Sequence, residues 1–132
     1  MPGYSGKALV DKLGVKAGHR VALLDAPDET RSLLAPLPAG VRFVAPEAGL
    51  VDVALLFTRA AAHLEQAFVP AARTLAPGGM LWVAWPKRAS GVATDVTEDV
   101  VRRVGLAAGL VDVKVCAVTD VWSGLKFVRR RA

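Results

Sequence analysis

The stretch Arg20-Val21-Ala22-Leu23-Leu24-Asp25-Ala26-Pro27 decides the fold. Its first six residues form a near-continuous apolar run, the pattern of a strand covered on both faces and therefore the expected centre of a parallel sheet. The exit from that strand is the informative part. Parallel sheets that hold a nucleotide leave their first strand through glycines, which let the ligand approach the backbone and present the amides of a helix N-terminus to its anionic groups. Here alanine and proline stand in that turn, Pro27 removes an N–H, and Asp28 and Glu29 already answer the positive helix end.

Working outward, Ser5 is placed to cap a short helix carrying Leu9 and Leu13, with Gly14 as its left-handed terminus. Pro27 opens a helix expected to run to about Ala35, before Pro36-Leu37-Pro38-Ala39-Gly40 stops it. Val41 to Ala45 and Val51 to Phe57 read as further strands. Thr58 is placed to cap the long helix that follows, with Pro70 inside its apolar stripe. Pro77-Gly78-Gly79 then leads into Met80 to Trp85, a fourth strand. After a polar loop from Lys87 to Thr94, Asp95 and Glu98 stand at capping-box spacing before another helix. Val111 to Val118 and Leu125 to Arg129 close the chain as an antiparallel hairpin.

Strands alternating with helices predict a single α/β domain over residues 1–132: a three-layer open sheet, mostly parallel, with a C-terminal antiparallel hairpin. Hydrophobic residues make up 53% of the chain, but charges, glycines and prolines break every apolar run before it reaches membrane-spanning length, so no membrane association is expected. Met1 to Lys7 has no export signal, which predicts a cytoplasmic protein. Cys116 lies in an apolar run and reads as a small buried hydrophobe. His19 and His63 stand apart without ligand spacing, so no metal is expected.

A parallel core, a Leu-Ala-Pro-Gly-Gly turn before a strand, a helix and a terminal hairpin together resemble the second half of the class I S-adenosylmethionine-dependent methyltransferase fold, here a reduced Rossmann-like version. Residue by residue the chain is similar to a bacterial family known as domain of unknown function 3052. The carriers are Gly3-Tyr4-Ser5-Gly6, Lys12-Leu13-Gly14-Val15, Leu75-Ala76-Pro77-Gly78-Gly79, Trp82-Val83-Ala84-Trp85-Pro86-Lys87, Thr94-Asp95, Val115-Cys116-Ala117-Val118 and Trp122-Ser123-Gly124-Leu125. The resemblance implies the fold and brings no catalytic residues with it. One join departs from the methyltransferase plan. Only five residues separate Ala45 from Val51, too few for a helical crossover, so either a strand-helix unit is missing or Val41 to Ala45 runs antiparallel at an edge; the first reading is preferred.

In such sheets ligands bind at the carboxyl ends of the strands. That rim collects Asp25, Thr58 and Arg59, the loop Pro86 to Ser90, and the hairpin tip Asp120 to Ser123. Arg59, Lys87 and Arg88 form a candidate anion clamp to which Ser90 and Gly91 add donors, and Asp120, Trp122 and Ser123 complete the candidate site. Trp82 and Trp85 point to opposite faces of one strand, so at least one belongs to the core, while Trp122 is the better stacking residue. Asp25, Asp95 and Asp120 are the acids available at the rim. Neither histidine is expected there, because His19 precedes the first strand and His63 lies in a helix, so no hydrolytic constellation is legible.

The favoured reading is a non-catalytic or regulatory domain, with no cofactor, that binds a small anionic ligand or a protein partner at this rim. One alternative is a methyltransferase with an unconventional cofactor turn. Another is nucleic-acid binding through Arg102, Arg103 and Arg129-Arg130-Arg131, which the net charge of +5 permits but the scatter of positive residues among acids disfavours. The oligomeric state is left open.

Overall fold

The computed structural model describes residues 8–130. Strands β1 (Arg20–Leu24), β2 (Arg42–Phe43), β3 (Val51–Phe57), β4 (Leu75–Pro86), β5 (Leu110–Ala117) and β6 (Trp122–Arg129) form one sheet in the order β2-β1-β3-β4-β6-β5. The first four strands in that order run parallel, and the β5–β6 hairpin adds to β4 antiparallel through β6. Helices α1 (Leu9–Lys12), α2 (Thr30–Leu33), α3 (Ala61–Arg73) and α4 (Glu98–Ala107) supply the outer layers.

The period of two along β3 explains the three layers. Ala54 and Leu56 point to a front face where Leu64 and Phe68 of α3 and Val101 of α4 pack. Val53, Leu55 and Phe57 point to a back face shared with Val10 of α1, Leu13 just after it and Leu34 after α2. Both strand tryptophans are core. Trp82 lies on the back face with its indole N–H donated to Leu13 O at 2.9 Å, and Trp85 is buried on the front face. Gly105 lets α4 rest directly on the Phe127 ring, since a Cβ there would lie 2.0 Å from a ring carbon.

Several boundaries differ from the sequence expectation, each for a local reason. Ser5 lies outside the described residues, while Gly14 adopts φ +81° as expected. The helix expected from Pro27 forms only at Thr30–Leu33, because the Thr30 amide and hydroxyl both bond to Pro27 O and close a turn first. β2 pairs parallel with β1, so the antiparallel-edge alternative is excluded, and a short 3-10 turn at Pro46–Ala48 carries the chain to β3. The helix before β4 ends at Arg73 and the strand already includes Pro77-Gly78-Gly79. Trp122, Ser123 and Gly124 belong to β6 instead of the turn, opposite Pro86, Trp85 and Ala84. Asp95 does not cap α4; Thr97 does, its hydroxyl accepting from the Val100 amide at 3.2 Å.

Candidate functional site

β1 ends at Leu24, and Asp25 turns the chain with φ +56°, the one positive φ outside glycine among the described residues. Asp tolerates this conformation better than most residues, because its short polar side chain finds local partners. Here the partner is distant in sequence. α3 begins at Ala61, so His63 sits in its first turn, where helical side chains lean back toward the N-terminus and hence toward the rim. His63 Nε2 lies 2.8 Å from Asp25 Oδ2, and His63 Nδ1 lies 2.8 Å from Thr58 Oγ1. Thr58 is 3% exposed and donates its only hydroxyl hydrogen to Ala60 O at 3.1 Å. The imidazole of His63 thus bridges the Asp25 carboxylate and the Thr58 hydroxyl, and that hydroxyl also reaches Ala60 O.

The expectation that neither histidine reaches the rim is therefore wrong for His63. Its helical position suggested the flank of the domain, but in a first turn the side chain faces the strand ends. The sequence places Thr58 as the cap of α3. The α3 N-terminus is held instead by Asp95, whose Oδ1 accepts from the Ala61 amide at 2.8 Å, which leaves the threonine hydroxyl for His63.

The second half of the rim is built from backbone turns. The Thr94 hydroxyl donates to Arg59 O at 2.6 Å, tying the far end of the 87–97 segment to the start of α3. The Lys87 amide donates to Val121 O at 2.7 Å, tying the near end to the hairpin tip. Ser90 closes its own turn, its hydroxyl donating to Lys87 O at 2.6 Å and accepting from the Val92 amide at 3.2 Å, so that oxygen is already engaged. Trp122 meets Phe57 edge to face, with centroids 5.1 Å apart at 84°.

These elements enclose two hollows. One, of about 290 Å³, is lined by Asp25, Phe57, Thr58, Arg59, His63 and Trp122. The other, about 430 Å³, lies under the 88–94 arch, with Trp85 as floor and Arg88 and Glu98 on its wall. The candidate residues are thus divided: Arg59 and Trp122 share the first hollow, Arg88 lines the second, and Lys87, Ser90, Asp120 and Ser123 line neither. Among the described residues no acid lies within ion-pair distance of Arg59, Lys87 or Arg88.

Away from the rim, one cluster of charges is engaged. Arg102 binds Asp112 at 2.8 Å and Glu98 at 2.7 Å, with Asp99 at 3.7 Å. The Asp112 bond and then the Glu98 bond raise its pKa, and Arg102 in turn lowers that of Asp112. Burial raises the pKa of the half-buried Cys116 thiol. Among the described residues no group of three potential ligands converges on a metal position, and no helix is long and apolar enough to cross a membrane.

The model of a family described as "Protein of unknown function (DUF3052)" matches residues 39–131. No curated protein matches the chain. Among solved structures, a possible exported protein from Bordetella parapertussis is similar with a TM-score of 0.66 at 13% identity, over 93% of this chain and 66% of that one, so this chain spans just under two thirds of its length. Magnesium protoporphyrin IX methyltransferase from Synechocystis, with bound SAH, gives 0.57 at 11% identity over 92% and 78% of the two chains. Precorrin-6y C5,15-methyltransferase from Geobacter metallireducens gives 0.60 at 11% over 92% and 86%. At such identities the likeness shows a methyltransferase-like fold, and the fold alone.

That fold implies S-adenosylmethionine, and the β1 exit is where the fit is tested. Asp25, Ala26 and Pro27 all carry side chains, Asp25 is drawn to His63, and α2 is a four-residue helix that begins only at Thr30. The residues do not fit the group, and no step through it is derived.

Proposed function

The chain belongs to the DUF3052 family of proteins of unknown function, and from that premise we propose that it is a non-catalytic binding domain of methyltransferase-like fold that takes a small anionic ligand at the carboxyl-end rim. The observation that carries the reading is the hollow shared by Arg59 and Trp122. Its one carboxylate, Asp25, is hydrogen-bonded to His63, and among the described residues no acid pairs with the Arg59 guanidinium beside the aromatic wall. Pro86 pairs with Trp122 across the strands, which brings Lys87 and Arg88 to the same end of the sheet as a second source of positive charge.

Calorimetric titration with pyrophosphate, nucleoside phosphates and sugar phosphates tests the reading. Saturable binding that falls about tenfold in Arg59→Ala is expected, as for the loss of one charge-assisted hydrogen bond. Binding that is unchanged in Arg59→Ala, Lys87→Ala and Arg88→Ala removes the site. A saturable rise in melting temperature with S-adenosylmethionine would favour an enzyme instead, because a ligand that binds the native state must stabilise it.

A further inference from the structure

The apolar lining of the rim hollow is almost wholly aromatic. Phe57, His63 and Trp122 contribute rings, and the aliphatic surface is limited to Ala60 and the Thr58 methyl. The Phe57–Trp122 pair is fixed without any ligand. Phe57, the last residue of β3, is buried at 3% exposure. Trp122, the first residue of β6, is held by its backbone: its carbonyl accepts from the amides of Val118 at 2.9 Å and Thr119 at 3.1 Å, and its amide donates to the Thr119 hydroxyl at 3.1 Å. Its half-buried ring is braced edge to face against Phe57. An aromatic side chain held in this way gives up little freedom when a ligand stacks on it.

The polar groups of the same lining, Arg59 aside, are engaged with one another. The Thr58 hydroxyl lies 3.1 Å from Ala60 O and 2.8 Å from His63 Nδ1, and His63 Nε2 lies 2.8 Å from Asp25 Oδ2. A polyhydroxylated ligand would find few open partners here, and a polar group buried without one costs free energy. A flat ring needs none. It gains by offset stacking or edge-to-face contact with rings already in place, and a guanidinium also lies well against such a face. Size agrees with this. A cavity of about 150 Å³ accepts benzene, so a hollow of about 290 Å³ takes a ring together with an anionic arm. We propose that the rim site selects a small aromatic anion, its ring against Trp122 and Phe57 and its carboxylate or phosphate on Arg59. The inference rests on the anion-binding reading above and adds to it the class of ligand.

Calorimetric titration of the full chain at low salt with two matched pairs tests the inference: phenyl phosphate against cyclohexyl phosphate, and benzoate against cyclohexanecarboxylate. The aromatic member of each pair should bind about fivefold tighter. Apolar burial alone would favour the saturated member, which has the larger surface. Trp122→Leu should bring the ratio within each pair to about one and Trp122→Phe should keep it, with circular dichroism confirming both folds. Arg59→Ala should weaken both members of a pair alike, about tenfold, and leave the ratio unchanged. In the unmodified chain, phenyl phosphate should move the Ala60 methyl proton resonance by its ring current more than cyclohexyl phosphate does. Equal affinities within both pairs, a ratio that survives Trp122→Leu, or shifts centred on Trp85 and Val92 under the arch overturn the aromatic assignment while anion binding stands. Absence of binding by all four compounds overturns both readings.

Discussion

β1 and β4 leave the same rim of one sheet in opposite ways. After β1 the chain turns on a single left-handed aspartate, held by a histidine 38 positions later and, through it, by a buried threonine. After β4 the chain leaves from the buried Trp85 into a series of local turns, in which Ser90 bonds its own neighbours and only the two ends are tied to other elements. The first exit is fixed by side chains distant in sequence, the second by backbone and neighbours.

The contrast can be broken at four points and checked at a fifth. Trp85→Ala should cost about 3–5 kcal/mol in urea denaturation, as for other large-to-small core changes, whereas Leu24→Ala, half-buried at the other exit, should cost clearly less. Thr58→Val keeps the shape but removes the hydroxyl between His63 and Ala60 O, and should cost about 1–3 kcal/mol by the same measurement. Asp95→Ala removes the acceptor for the Ala61 amide and should cost about 1 kcal/mol, read in thermal melts. Asp25 and His63 are 66% and 38% exposed, so a double-mutant cycle of Asp25→Asn with His63→Gln should return a coupling of only about 0.2–1 kcal/mol.

The smallest effect lies away from both exits. Arg102 holds the pKa of Asp112 below its ordinary value, so this pair stabilises the fold above the unfolded carboxyl pKa, and the stabilisation is lost as pH falls through the lowered folded value. Asp112→Asn should lower the neutral plateau of a stability-against-pH curve and flatten its acid limb, so that the two curves converge once the carboxyl is protonated. Curves that stay equally far apart at low pH would remove the ion pair as the cause.

What the sequence made legible follows the same division. The strands, the parallel core and the closing hairpin rest on periodicity and turn residues, which are local, and they appear where Val51 to Phe57 and Met80 to Trp85 predict them. The absence of glycines after Leu24 was equally plain. The Asp25, His63 and Thr58 chain was not, because it depends on how α3 is phased against β1, and that phase is set by Asp95 of another loop. A threonine before a helix reads as its cap, and a histidine within one reads as its flank. Only the three-dimensional placement of a competing acceptor reverses both. Similarly, Trp122-Ser123-Gly124 read as a turn by composition, whereas pairing with the end of β4 draws these residues into the strand.

The Asp95 bond has a consequence for how motion is shared. The Ala61 amide can exchange its hydrogen with solvent only when a carboxylate 34 positions away lets go of it. Deuterium uptake at the start of α3 is therefore a reporter of the 87–97 segment, and any occupant that quiets this segment should slow uptake two residues from His63. The linkage runs equally in reverse, so a contact that fixes His63 also restrains the arch over Trp85.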